Sequence, residues 1–154
     1  LLDIGGYPGG WAQVASKIIA SGKILSVDLQ KIIKIKNVTF LEGDFLKENT
    51  QDRIFEFFQE NLDVVLSDMA SNTTGNKALD CIRTNQLCSE VVNFSAKILK
   101  KKGVLISKLF MGEDFLEVKR LAETRFKKVR FFKPEASRGE SKETYLHCAI
   151  LKTL

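Results

Sequence analysis

Asp68, Lys108 and Glu143 each stand at the end of a short apolar run. A carboxylate, an ammonium and a second carboxylate brought together form a group able to move a proton or stabilise a developing charge. Residues 63–66 and 104–106 read as successive strands, closed by Ser67-Asp68 and Ser107-Lys108. If those strands are parallel, both side chains lie at the carboxyl edge, where open α/β sheets bind ligands. Glu143 opens the last apolar run, residues 145–151. If that strand returns antiparallel from one ending near Phe132, its beginning lies at the same edge. A charge at a strand end is ordinary for any one of the three and less so for all of them together.

A second cluster begins the chain. Leu1-Leu2-Asp3-Ile4-Gly5-Gly6-Tyr7-Pro8-Gly9-Gly10-Trp11 reads as a strand, a glycine-rich turn and the start of a helix, a form that brings backbone close to a ligand. A dinucleotide fingerprint needs G-x-G-x-x-G, and Tyr7 stands where its second glycine should be. Asp28 and Asp44 close the next two predicted strands. There, one can accept from ribose hydroxyls and the other from an adenine amino group, although either alone is more often a turn-forming aspartate.

Positioning these residues requires a particular order of elements. Apolar runs of strand length alternate with segments of helical period, which predicts one α/β domain with a mostly parallel sheet. Strands are expected at residues 1–4, 23–29, 38–41, 63–66, 104–106, 129–132 and 145–151, and helices at 9–20, 52–58, 81–101 and 115–124. The first helix should turn Trp11, Val14, Ala15, Ile18 and Ile19 inward. The third should stop at Gly103 after a last turn rich in lysine, Lys100 to Lys102. Residues 71–77 and 135–142 read as polar connections of the kind that carry function.

Composition narrows the classes. The chain has 154 residues, 44% of them hydrophobic, enough for a single domain with a core. Cys81, Cys88 and Cys148 are odd in number and lack C-x-x-C spacing, which argues against a disulfide framework and a zinc site. Cys81 and Cys88, seven apart, should share a helix face as core fillers. The net charge of +5 is concentrated at Lys100–Lys102 and from Lys127 to Arg138, which suits a polyanionic partner or simply a solvated surface. No apolar run is long enough for a membrane span. Leu1 already lies within an apolar run, so the domain reads as lacking its N-terminal segment.

Together, Asp3 to Trp11, Ser67-Asp68-Met69-Ala70-Ser71-Asn72, Lys108, Lys133-Pro134-Glu135-Ala136-Ser137-Arg138 and Glu143-Thr144-Tyr145 resemble the motifs of the RrmJ/FtsJ family of ribosomal RNA ribose 2′-O-methyltransferases. The resemblance covers essentially the whole chain. It implies a Rossmann-like, S-adenosylmethionine-dependent methyltransferase fold: a mostly parallel seven-stranded sheet with an antiparallel last strand, and helices on both faces. It implies that Gly9, Trp11, Asp28, Asp44 and Asp68 hold S-adenosyl-L-methionine, that Lys108, Asp68 and Glu143 are catalytic, and that no metal takes part. The family's set is Lys-Asp-Lys-Glu, whose first lysine lies upstream of Leu1. Tyr7 and Ser71 replace the family's usual alanine and proline without removing a polar group from the chemistry.

The Ser67-Asp68-Met69-Ala70 block resembles the large-subunit branch more than the transfer RNA branch. The expected acceptor is a ribose, of a uridine, in large-subunit ribosomal RNA, with Lys133, Arg138 and Lys142 against its phosphates. The implied partner is the large ribosomal subunit and the implied state a monomer away from membranes. The compartment would be the cytoplasm of a bacterium, or a mitochondrion or other organelle of a eukaryote. Lys108 would act as a base or as a charged stabiliser of the oxyanion, and the sequence leaves both open.

Other readings differ in what they require. Methylation of transfer RNA or an mRNA cap would leave the fold and the charged group intact. A nicotinamide-dependent oxidoreductase is disfavoured by the broken glycine fingerprint. A non-catalytic RNA-binding or ribosome-assembly factor would have no need of Asp68, Lys108 and Glu143 at one sheet edge.

Overall fold

The computed structural model describes residues 1–135 and 142–153. Seven strands and four helices follow one another along them: β1 Leu2–Ile4, α1 Gly10–Ile18, β2 Leu25–Asp28, β3 Thr39–Glu42, α2 Glu48–Phe58, β4 Leu62–Ser67, α3 Lys77–Ile98, β5 Leu99–Phe110, α4 Phe115–Arg125, β6 Phe126–Phe132 and β7 Glu143–Leu151. The strand order is β3-β2-β1-β4-β5-β7-β6. The first five strands are parallel, and β7 runs antiparallel to both β5 and β6. This is the Rossmann-like methyltransferase arrangement, with the last strand slotted between two earlier ones.

Ile54 and Phe58 of α2, Val91, Phe94 and Ile98 of α3, and Val118 of α4 pack with Val65, Leu105, Leu146 and Cys148 on one sheet face. Phe94 lies between Phe45 and Phe55, at ring-centroid distances of 5.1 and 5.3 Å. Cys81, Cys88 and Cys148 are all buried free thiols, and burial pushes Cys88 and Cys148 up to about 12.

α1 lies on the opposite face and corrects one expectation. Its buried residues are Ala12 and Ala15, whereas Val14 is 56% and Ile18 75% exposed. Alanine lets the helix approach the sheet, while Val14 and Ile18 line an open groove over Val64, Leu66 and Ile106. Helical period fixed the helix but not its buried side.

α3 requires a larger correction. Asn76 accepts from the Ala78 and Leu79 N–H groups and starts the helix ahead of residue 81. The helix is over at Leu99, whose extended backbone pairs with Leu62. Lys100 to Lys102 therefore belong to β5, and Lys100 donates to Asp63 of β4 at 2.9 Å. Gly103 is not a helix cap. A Cβ there would sit 3.1 Å from the Leu62 carbonyl oxygen and 2.9 Å from that of Lys100, so this strand position requires glycine. α2 also begins earlier than expected, at Glu48.

The turn after β1 rests on a buried carboxyl. Asp3 has no exposed surface, and its register partner Ser26 on β2 donates to Asp3 Oδ2 at 3.0 Å. Asp3 Oδ1 has no hydrogen-bond partner among the described residues. Gly6 makes the approach possible, because a Cβ there would lie 1.9 Å from Ser26 Oγ and 2.7 Å from Asp3 Oδ2. Burial above all, aided by the charges of Asp68 and Asp28 and opposed by Ser26, raises the Asp3 carboxyl to about 6.

A carboxyl raised by folding stabilises the fold fully below its unfolded value of 3.8, and that contribution is lost as pH rises through about 6. Asp3→Asn removes the titration, so its stability relative to the parent should climb between about pH 4 and about pH 7, by up to about 3 kcal/mol in urea unfolding. A difference that stays flat with pH would show that burial does not hold this proton. Phe94→Ala should cost about 3–5 kcal/mol by the same measurement, with the denaturant slope unchanged.

Candidate active site

β1 and β4 are neighbours at the centre of the sheet, and the chain leaves them in opposite directions. Their carboxyl ends therefore open a cleft, the usual ligand position in such sheets. A cavity of about 400 Å³ lies there, lined by Gly5 and Tyr7 after β1, Asp28 at the end of β2, Asp44 after β3 and Asp68 after β4. Gly5 has φ +73°, and a Cβ on it would meet Met69 Cγ at 2.6 Å, so the turn tolerates no side chain. Asp28 ties the turn to β2: its Oδ2 accepts from the Tyr7 N–H at 3.0 Å and its Oδ1 from the Gln30 N–H at 2.8 Å. Asp44 Oδ1 accepts from the Leu46 N–H at 3.0 Å.

Each of these carboxylate oxygens keeps lone pairs for a further donor. With Val27, Phe45, Met69 and Leu87 as apolar walls, the cavity fits an adenosyl group. The walls suit the base, and the carboxylates suit hydroxyls, an amino group and a nearby cation. Gly9 and Trp11 do not line it. Gly9, at φ +114°, precedes α1 against Ile32 and Ile35, and Trp11 lies beside Tyr145 at 5.6 Å between ring centroids.

The three charged residues meet at the mouth of this cavity. Lys108 Nζ lies 2.9 Å from Asp68 Oδ1 and 3.4 Å from Glu143 Oε2, and its side chain is only 13% exposed. Register explains the convergence. The Asp68 N–H donates to the Ile4 carbonyl at 3.1 Å, which holds the end of β4 beside β1. Antiparallel pairing sets Lys108 opposite Tyr145 and Phe110 opposite Glu143.

Tyr145, part of the Glu143-Thr144-Tyr145 motif but given no role from sequence, joins the group. Its hydroxyl donates to Asp68 Oδ1 at 2.9 Å and lies 3.5 Å from Glu143 Oε1. Burial, then the charge of Asp68, pushes it well above the usual tyrosine range, so it stays a donor. The signal was its position two residues after Glu143, hence on the same strand face. Trp11 and Phe132 flank its ring, the latter at 5.7 Å.

The loop after Asp68 is pinned to α3. The Ser71 N–H donates to Thr84 Oγ1 at 3.2 Å, and the Thr74 N–H and hydroxyl both donate to Asp80. Those Thr74 bonds hold the Asp80 carboxyl below its ordinary value. Lys133 follows β6 and Lys142 precedes β7 at the same edge, whereas Arg138 lies outside the described residues. His147, given no role from sequence, is half-buried opposite Ile106 and Arg130.

A cavity of this size and lining, with an ion-paired lysine at its mouth, can align a hydroxyl with a donor group and stabilise the charge that develops on its oxygen. Known proteins share this framework. The curated "Ribosomal RNA large subunit methyltransferase E" of Pelagibacter ubique is 43% identical over 152 residues, covering 99% of this chain and 75% of the relative. The protein of the same name from Rickettsia akari is 46% identical over 152 residues, covering 95% of this chain and 67% of the relative. A crystal structure described as a ribosomal RNA methyltransferase of Plasmodium falciparum superposes with a TM-score of 0.84 at 29% identity, over 97% of this chain and 85% of that one. Human methyltransferase-like protein 13, solved in complex with SAH, shares the fold with a TM-score of 0.72 at 15% identity, over 97% of this chain and 70% of that one. The pattern of the FtsJ-like methyltransferases matches residues 1–151, and the chain belongs to that family.

Proposed function

We propose that the protein transfers a methyl group from S-adenosyl-L-methionine to the 2′-oxygen of a ribose, that of a uridine, in large-subunit ribosomal RNA. The observation that carries this reading is Lys108 Nζ held between Asp68 and Glu143 at the mouth of the cavity. The two curated relatives, named for large-subunit ribosomal RNA, support the substrate. Residues 1–154 act as one catalytic domain and a monomer. The working compartment is the one that holds the ribosome, the cytoplasm in a bacterium or an organelle in a eukaryote.

Asp28 and Asp44 would hold the ribose and adenine of the cofactor, with Asp68 facing both cofactor and acceptor. Gly9 and Trp11 act from the turn and the first helix that shape the cleft. The cofactor supplies an electrophilic methyl on a sulfonium, and the protein must bring one oxygen in line behind it. Lys108, as an ion-paired ammonium, donates to the ribose 2′-oxygen and stabilises the negative charge developing there. The proton leaving the hydroxyl is received within the same cluster, at a carboxylate of Asp68 or Glu143. Tyr145, donating to Asp68, limits how far that carboxylate can turn. Lys133, Arg138 and Lys142 would contact phosphates beside the acceptor, which makes binding depend on salt.

The test is transfer of labelled methyl to large ribosomal subunits lacking the modification, with free transfer RNA as competitor. Lys108→Ala should lower turnover about 10²-fold or more while binding of S-adenosylhomocysteine changes little. Preferred transfer to transfer RNA would overturn the substrate, and full turnover in Lys108→Ala would overturn the mechanism.

A further inference from the structure

Asn85, on α3, is fully buried and uses both ends of its side chain. Its Oδ1 accepts from the Phe110 N–H at 2.8 Å, and its Nδ2 donates to the Phe110 carbonyl at 2.9 Å and to Asp114 Oδ1 at 2.8 Å. Helix α3, the end of β5 and the residue that caps α4 thus meet at one carboxamide.

The reason lies in unequal strand lengths. β4 ends at Ser67, paired with Ser107, so Lys108, Leu109 and Phe110 run past it on that side. On the other side β5 still pairs with β7 as far as Phe110 opposite Glu143, and beyond it the Met111 N–H donates to the Lys142 carbonyl at 2.8 Å. In an antiparallel ladder, the residue next to a hydrogen-bonded pair turns its own N–H and C=O away from the partner strand. Phe110 therefore presents both groups to the side that β4 has vacated. Peptide groups buried without partners are costly, and a carboxamide offers one acceptor and two donors. Asn85 replaces the missing strand.

We propose that Asn85 is a positioning residue for methyl transfer. By clamping Phe110 it keeps β5 extended through Lys108 and keeps Glu143 in register with it, which sets the distance between Lys108 Nζ and the Glu143 carboxylate. The proposal rests on the reading that these two side chains handle the acceptor hydroxyl. Asn85 does not line the cofactor cavity, so its effect falls on turnover rather than on cofactor affinity. Leucine at this position would leave Phe110 and Asp114 unpaired. Aspartate would keep the bond from the Phe110 N–H but set an oxygen against the Phe110 carbonyl and the Asp114 carboxylate.

The experiment compares Asn85→Leu, Asn85→Asp and the exchange Asn85→Asp with Asp114→Asn, in which residue 114 regains the amide and donates to residue 85. Well below each unfolding midpoint, the two single variants should lose at least about tenfold in kcat, with the calorimetric Kd for S-adenosylhomocysteine little changed. The exchange should recover part of what Asn85→Asp loses. In both single variants the NMR titration of Lys108 Nζ should shift, because its distance to Glu143 changes. Unchanged kcat and an unchanged Lys108 titration, with only a lower Tm, would overturn the proposal. Lys108→Ala serves as reference. If it retains turnover, the chemical reading fails, and positioning is then decided by the Lys108 titration alone, a shift supporting it and none overturning it. Should Asn85→Leu not fold, Asn85→Asp and the exchange carry the same comparison.

Discussion

The parallel pairing of β1 with β4 is the constraint on which the rest depends. The chain runs outward from β1 through β2 to β3 on one side and from β4 to β5 on the other. No crossover then covers the gap between their carboxyl ends. The cavity occupies that gap, and three strands each contribute a carboxylate at or just beyond the strand end. β2 gives Asp28, β3 gives Asp44 and β4 gives Asp68. The chemistry is fixed to the ends of rigid elements, which holds reacting groups more closely than loops can.

Charge is divided within this cleft. The chain is basic overall, at +5, yet the cavity and its floor are acidic, with Asp3, Asp28, Asp44 and Asp68 close enough that two of them raise the carboxyl of a third. Such a pocket favours a cationic small molecule and repels a polyanion. Lys108 is the cation at the boundary, neutralised by Asp68 and Glu143, and Lys133 and Lys142 stand at the same edge outside it. An acidic interior beside a basic rim separates a positively charged ligand from a negatively charged one.

Much of this was legible in the sequence, because strand ends are. Asp68 and Lys108 follow apolar runs, and a short return strand brings Glu143 to the same edge; strand order alone puts the three side chains together. The failures share a cause in depth of packing. Gly103 looked like a helix cap because lysines precede it, but its role depends on how closely Leu62 of β4 approaches. Val14 and Ile18 have the period of a buried stripe, yet the alanines of α1 took the sheet side. Asn85 carried no signal, since its use depends on β5 being longer than β4 on one side only. Period and composition show which residues form an element, not how far one element extends past its neighbour.

The position of β7 has a consequence for the order in which the molecule is assembled. The cavity draws on residues from Gly5 to Leu87, all of them made before β7. The charge cluster needs Glu143 and Tyr145, which come from the last strand and insert between two strands already made. Pairing so distant in sequence is slow to form, and domains grow from the N-terminus as they leave the ribosome. The nascent chain therefore has a place for a nucleoside before it has a lysine held between two carboxylates. Of the segments that build this edge, β7 is made after the others, and it completes the charge cluster beside a cavity whose lining is already in place.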